Sequence, residues 1–144
     1  MCKANATSST DNSTTSTLGI HHLGLTVPDI TETAAFFTEH LGFKQVGGQP
    51  AYPSIFVAND SIMLTLWQVK DTENTTHFNR HTNIGLHHFA LKVASVDMLH
   101  KLYQKLSQLD NVEIDFAPEP LTGLPLYHMM CFIPGGIRLE LISE

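Results

Sequence analysis

Two histidine pairs are the residues of this chain best suited to chemistry. His21-His22 opens the segment HHLGLTV and His87-His88 opens HHFALKV, so the second segment repeats the first at an offset of 66 residues. A carboxylate, Glu140, lies in the last apolar segment of the chain. Two neutral imidazoles and one carboxylate suit Fe(II), and also Mn, Ni, Co or Zn. The sequence therefore predicts that His22, His88 and Glu140 bind one divalent metal ion.

The alternation of side chains supports grouping these three residues. Successive side chains of a β-strand point to opposite faces. Leu23 and Leu25 alternate with His22. Glu140 likewise lies between two leucines, and His88 begins the same apolar alternation. We expect the apolar faces to pack on helices and the three predicted ligands to lie on the opposite, solvent-reachable faces, as a binding pocket requires.

The other histidines are expected to have ordinary roles. A single histidine on a strand is more often a surface or core residue than a ligand, so the metal prediction depends on the three residues taken together. Alternation turns His21 and His87 toward the helices. Surface or pocket-rim positions are expected for four others: His77, His81, His100 and His128.

The repeat extends beyond the histidines. Helical patterns cover residues 31–40 and 97–109, and each is preceded by a residue that can cap the free amide groups, Asp29 and Ser95. Gly42 is typical of a helix end. Three strand-like segments follow each helix: 43–47, 54–58 and 62–69 in the first half, and 112–116, 127–133 and 137–143 in the second. Turns are predicted at 59–60 and 135–136, and a loop at 118–125.

This pattern predicts an α+β fold in which two βαβββ units form a curved mixed sheet. At 144 residues the chain is long enough for one domain. We divide it into a disordered polar tail at residues 1–17 and a single domain at 18–144, with unit one at 18–69, a linker at 70–84 and unit two at 85–144. Cys2, before the polar tract, leaves one alternative open, a lipoprotein tether.

The composition argues against several classes of function. Eight Lys and Arg in a chain of formal charge −6 offer no clustered cations for nucleic acid. No apolar run approaches the ~20 residues of a membrane span, and the N-terminus lacks the apolar core of a secretory signal. Two cysteines are too few for a disulfide framework. We therefore expect a cytoplasmic protein that binds no nucleic acid and has no membrane span.

The motifs resemble those of the vicinal-oxygen-chelate superfamily, which includes glyoxalases, bleomycin-resistance proteins and dioxygenases. Units of that family open with the pattern His-x-x-(Leu/Val)-x-Val, as at 22–27 and 88–93, and close with a Glu before an apolar residue, as at Glu140-Leu141. In glyoxalase I, a His on the first strand and a Glu on the fourth strand of each unit bind the metal. Thr65 departs from this pattern at the fourth ligand position.

The resemblance implies a metal that holds two neighbouring oxygens of a small-molecule substrate. The leading expectation is a metal-dependent, glyoxalase-like enzyme of lyase or isomerase type that forms a homodimer. Three ligands are also similar to the set of extradiol dioxygenases and fosfomycin-resistance thiol transferases, and the bleomycin-resistance proteins offer a non-catalytic alternative. Thr65, Arg138 and Tyr127 are the candidate substrate-binding residues, although a surface salt bridge is an equally simple role for Arg138.

Overall fold

Each repeated unit folds into one helix packed on one four-stranded sheet. The computed structural model describes residues 16–143, so the predicted tail at 1–17 lies almost wholly outside the described residues, as does Cys2. Unit one contains β1 (His22–Val27), α1 (Ile30–His40), β2 (Lys44–Gln49), β3 (Ser54–Ala58) and β4 (Met63–Gln68). Unit two contains β5 (Phe89–Lys92), α2 (Val96–Leu106), β6 (Glu113–Pro120), β7 (Tyr127–Ile133) and β8 (Ile137–Ser143).

The two sheets have the same topology. Their strand orders are β1-β4-β3-β2 and β5-β8-β7-β6. The first strand of each unit runs parallel to the last, and the other neighbouring strands are antiparallel. The α+β fold and the repeat are therefore confirmed, with the strands of residues 16–143 arranged as two separate mixed sheets. No helix in this part of the chain is long and apolar enough to cross a membrane.

The predicted helix signals act as expected. The Asp29 side chain accepts hydrogen bonds from the amides of Thr31 and Glu32, and the Ser95 hydroxyl accepts one from Met98. Gly42 follows α1 with a φ of +73°, a conformation that favours glycine. Helix α2 ends earlier than predicted, at Leu106, because the amides of Gln108 and Leu109 bond three residues back rather than four.

The core lies between each helix and its sheet. The predicted apolar faces of β1 and β8 are buried, and Phe37 and Leu99 cover them from α1 and α2. Full burial of a side chain of this size stabilises a fold by roughly 1.5–3 kcal/mol. The core therefore uses one face of each sheet. Residues on the opposite face are not needed for this packing and can form a binding site.

Strand β6 is longer than its predicted span of 112–116, and the loop predicted at 118–125 is wrong in its first part. The strand continues to Pro120 through two register irregularities, between Ile114 and Phe116 and between Phe116 and Glu119. Prolines are tolerated because β6 is an edge strand of its sheet and its free edge needs no amide donor.

Specific contacts join the two units. The Lys105 ammonium donates to the backbone carbonyl of Glu39 at 2.9 Å, and the Asn111 amide donates to the Glu32 carboxylate at 2.9 Å. The turn between β7 and β8 lies against the end of β1: a Cβ added to Gly135 would be 3.0 Å from Pro28 Cδ. This turn therefore has room for little more than a glycine, whose φ of +86° it also requires.

Candidate metal site around Glu140

Glu140 is a buried carboxylate at the centre of unit two. It lies on β8 between Ala90 of β5 and Met130 of β7, and only 9% of the residue is exposed. As predicted, it points to the face opposite its buried leucine neighbours. This position is less open than the solvent-reachable face that alternation predicts. Burial of a carboxylate costs free energy unless partners replace its water, and two histidines do so here.

His88 is the first partner. Its Nε2 lies 3.2 Å from Glu140 Oε2, and its Nδ1 lies 2.8 Å from Nδ1 of His87. The His87 partner therefore leaves His88 Nε2 facing the carboxylate. Partial desolvation, followed by the positive charges of Arg138 and His88, lowers the pKa of His87 and favours its neutral ring. A neutral His87 can accept a hydrogen bond from His88 Nδ1.

Unit one repeats this histidine arrangement. The Nδ1 atoms of His21 and His22 are 2.9 Å apart, and the two rings meet edge-on with centroids 5.2 Å apart. The prediction that His21 and His87 point toward the helices is wrong, since both are exposed and each contacts the next histidine. Alternation does not apply to them because they precede β1 and β5.

The fourth-ligand position of unit one has no carboxylate. Thr65 pairs with Gly24 just as Glu140 pairs with Ala90, which confirms that the two positions are equivalent. Thr65 is 4% exposed, and its hydroxyl accepts a hydrogen bond from Trp67 Nε1 at 3.0 Å. Unit one thus keeps the histidine of the predicted site and replaces the carboxylate with a satisfied hydroxyl.

The donors of unit two fit a divalent metal, but one chain does not group all three predicted ligands. Two ligands with bonds of ~2.1 Å at a right angle are about 3 Å apart, close to the 3.2 Å between His88 Nε2 and Glu140 Oε2. Among residues 16–143, no three His, Cys, Asp or Glu side chains lie close enough together to hold an ion. The structure therefore pairs His88 with Glu140 and does not add His22 to them.

His128 is a site residue that sequence reasoning missed. It was expected to be an ordinary surface or rim residue, yet its side chain is only 13% exposed and its Nδ1 lies 2.6 Å from Glu140 Oε1. Its ring packs edge-on against Phe116, with centroids 5.0 Å apart. The sequence could have revealed this position. The predicted turn at 135–136 sets the register of the β7–β8 hairpin, and that register puts His128 on the same face as Glu140.

The predicted substrate-binding residues are not grouped. Arg138 donates from Nε and Nη2 to one oxygen of Asp115, at 2.9 and 2.7 Å, so the salt bridge is present. Tyr127 is 38% exposed and precedes His128 on β7, which turns it to the other face. Thr65 lies in unit one, apart from the pair formed by His88 and Glu140.

A cavity of about 970 Å³ lies beside this site, between the end of β1, the segment around 69–81 and the start of β8. Arg138 and His87 line it, as does Arg80, whose guanidinium lies 5.7 Å from the centre of the Phe132 ring. The cavity is therefore cationic and partly aromatic, and the three predicted ligands are not among its lining residues.

Comparisons with known proteins agree on the fold. The model of the Glyoxalase/Bleomycin resistance protein/Dioxygenase superfamily matches residues 19–141. A structure from Bacillus halodurans described as a glyoxalase has 25% identity, a TM-score of 0.71 and coverage of 87% of this chain and 95% of that chain. A search of curated proteins gives no match.

Two further solved structures carry named activities. Lactoylglutathione lyase from Agrobacterium tumefaciens has 18% identity and a TM-score of 0.66, with coverage of 90% of this chain and 96% of that chain. A fosfomycin resistance protein from Listeria monocytogenes has 17% identity and a TM-score of 0.66, with coverage of 89% and 94%. At these identities the likeness shows the fold alone.

Proposed function

The chain belongs to the glyoxalase/bleomycin resistance protein/dioxygenase superfamily, and on that premise we propose that it is a metal-dependent, glyoxalase-like enzyme of lyase or isomerase type. The observation that carries the proposal is the buried Glu140 carboxylate, 3.2 Å from the imidazole of His88. A carboxylate is costly to bury for structural reasons alone, and its pairing with an imidazole matches the ligand chemistry of Fe, Mn, Ni, Co or Zn.

His88 and Glu140 would hold the metal, which when bound would act as a Lewis acid on two neighbouring oxygens of a small substrate. His87 contributes by holding His88 Nδ1, which keeps Nε2 directed toward Glu140. Arg138 lines the neighbouring cavity, where an anionic group of the substrate would compete with Asp115 for its guanidinium.

We further propose that His22 of a second copy completes the ligand set in a homodimer. His22 and His88 lie on or next to β1 and β5, and each of these strands is an edge of its own sheet. Edge strands present unpaired backbone groups that another chain can cover. Placing β1 of one copy beside β5 of the other would bring the three ligands together, which the single chain does not do.

The decisive measurement is the metal content of protein prepared without a His-tag. We expect the wild type to bind a divalent metal, and we expect His22→Ala, His88→Ala and Glu140→Ala to lose it while keeping the wild-type circular dichroism spectrum. His100→Ala is the matched control, since this exposed histidine lies on α2. Full metal binding by any of the three variants would contradict the role of that residue.

Two alternatives have specific support. Thr65 stands where a carboxylate would be the fourth ligand, which favours a three-ligand enzyme, either a dioxygenase or a thiol transferase. The large cavity beside the site favours a non-catalytic protein that binds small molecules. Metal-free protein that binds such molecules as tightly as metal-loaded protein would favour this second alternative.

A further inference from the structure

We propose that His128 is a positioning residue for Glu140, holding one carboxylate oxygen so that the other faces His88 and the metal. This inference rests on the proposed function, because it takes Glu140 as a metal ligand. Its basis is a short buried contact, 2.6 Å between His128 Nδ1 and Glu140 Oε1, on the side of the carboxylate away from His88.

Sheet geometry explains why the two histidines meet different oxygens. Strand β8 has β5 on one side, running parallel, and β7 on the other, running antiparallel. His88 lies two residues before the β5 partner of Glu140, and His128 lies two residues before its β7 partner. Because the neighbouring strands run in opposite directions, the histidines lie at opposite ends of the carboxylate.

The same geometry keeps His128 from sharing a metal with His88. His128 pairs with Ile142, and extending the β5 register places His88 at the level of Arg138. These levels differ by four residues along β8, or about 13 Å at ~3.3 Å per residue. The two rings therefore approach Glu140 from opposite sides, and His128 acts through the carboxylate rather than on the ion.

The surroundings of His128 fix its ring. Phe116 packs against the ring, and Glu119 Oε1 lies 4.0 Å from the second ring nitrogen, Nε2. The contact with Glu140 is thus a hydrogen bond to a carboxylate from a held donor, a strong type of hydrogen bond. Partners of this kind alter metal affinity by roughly 10–100-fold when they are removed.

Unit one provides an internal comparison. The offset that aligns Thr65 with Glu140 also aligns Trp67 with Ile142, and Trp67 pairs with Ser54 where Ile142 pairs with His128. Ser54 accepts a hydrogen bond from the amide of Gln49 within its own hairpin. The histidine is therefore present in the unit that has the carboxylate, and a serine replaces it in the unit that has Thr65.

Three substitutions of His128 separate positioning from packing. In His128→Asn the side-chain amide nitrogen can occupy the place of Nδ1, in His128→Gln it occupies the place of Nε2, and in His128→Phe the ring remains without a donor. We expect Phe and Gln to weaken Co(II) affinity by roughly 10–100-fold and to change the Co(II) absorption spectrum, and Asn to restore most of both.

Affinity is measured by competition with a chelator, and the melting temperature of metal-free protein reports packing. If His128→Phe does not fold, the comparison of Asn with Gln decides the question. Wild-type affinity and spectrum in both Phe and Gln, or in Gln alone where Phe is unfolded, would overturn the positioning role and leave the proposed function intact. A wild-type protein that binds no divalent metal would overturn both.

Discussion

Units one and two share their architecture and differ at the residues that face away from the helices. Both have a pair of adjacent histidines at the start of the first strand, in nearly the same geometry, with Nδ1 atoms 2.9 and 2.8 Å apart. Unit two adds the buried pair of Glu140 and His128, where unit one has Thr65 and Ser54. Because the core uses the opposite face of each sheet, these residues can differ without disturbing the packing that specifies the fold.

The comparison suggests a division of roles. Unit two holds the carboxylate and its partners, and unit one supplies a histidine whose nearest partner, His21, is also a histidine. Neither unit has three ligands of its own among the described residues. The proposed three-ligand site would therefore need both units, either from one chain or from two copies.

The largest effect is expected on mixing two inactive variants. His22→Ala damages unit one and Glu140→Ala damages unit two, so in a mixed dimer with shared sites one site has both lesions and the other has neither. After full exchange half of the dimers are mixed, and metal binding should recover to about a quarter of the wild-type sites. Native mass spectrometry of differently labelled chains must first show exchange. No recovery after proven exchange would mean that each chain supplies all three ligands.

A smaller effect is expected when unit one is made to resemble unit two. Thr65→Glu should tighten metal binding by adding a carboxylate as a fourth ligand, and it should lower the stability of metal-free protein by roughly 3–5 kcal/mol, because the new charge is buried. Thr65→Ser is the control, since it keeps the hydroxyl that accepts from Trp67. Affinity equal to that of the wild type, with an unchanged Co(II) spectrum, would show that Thr65 does not face the metal.

The smallest effect concerns the feature that the units share. His21→Ala and His87→Ala each remove the Nδ1 partner of a predicted ligand and should weaken metal binding by about tenfold, at the low end of such effects because both partners are exposed. Chelator competition measures both variants beside His100→Ala. Similar losses of metal affinity in the two variants would support equivalent ligand roles for His22 and His88. A loss in His87→Ala alone would contradict a ligand role for His22.

Much of the fold could be predicted because local patterns determine it. Strands β3, β7 and β8 have the predicted bounds, and both helix caps are confirmed. Strand β6 is longer than predicted because its prolines do not end it. A proline ends a strand only where the sheet needs an amide donor, and local sequence does not show that β6 is an edge strand.

The site was less predictable because it depends on pairing between strands. Glu140 and His88 were found from the repeat, and the structure pairs them. His128 was missed because alternation was applied within single strands and the register across the hairpin was not used. The partner of Arg138, Asp115, lies at a register irregularity of β6 that no periodic pattern indicates.

The two edge strands of each sheet differ in how regularly they pair with their neighbours. The outer strands β2 and β6 both contain register irregularities, and β6 also carries Pro118 and Pro120. The opposite edge strands, β1 and β5, keep an unbroken register along their full length. Irregular edges resist pairing with other chains, whereas regular ones permit it. The irregular edges at β2 and β6 therefore disfavour growth into fibres, and β1 and β5 are the edges whose regularity permits pairing. In the proposed homodimer, pairing β1 of one copy with β5 of the other would leave no regular edge free.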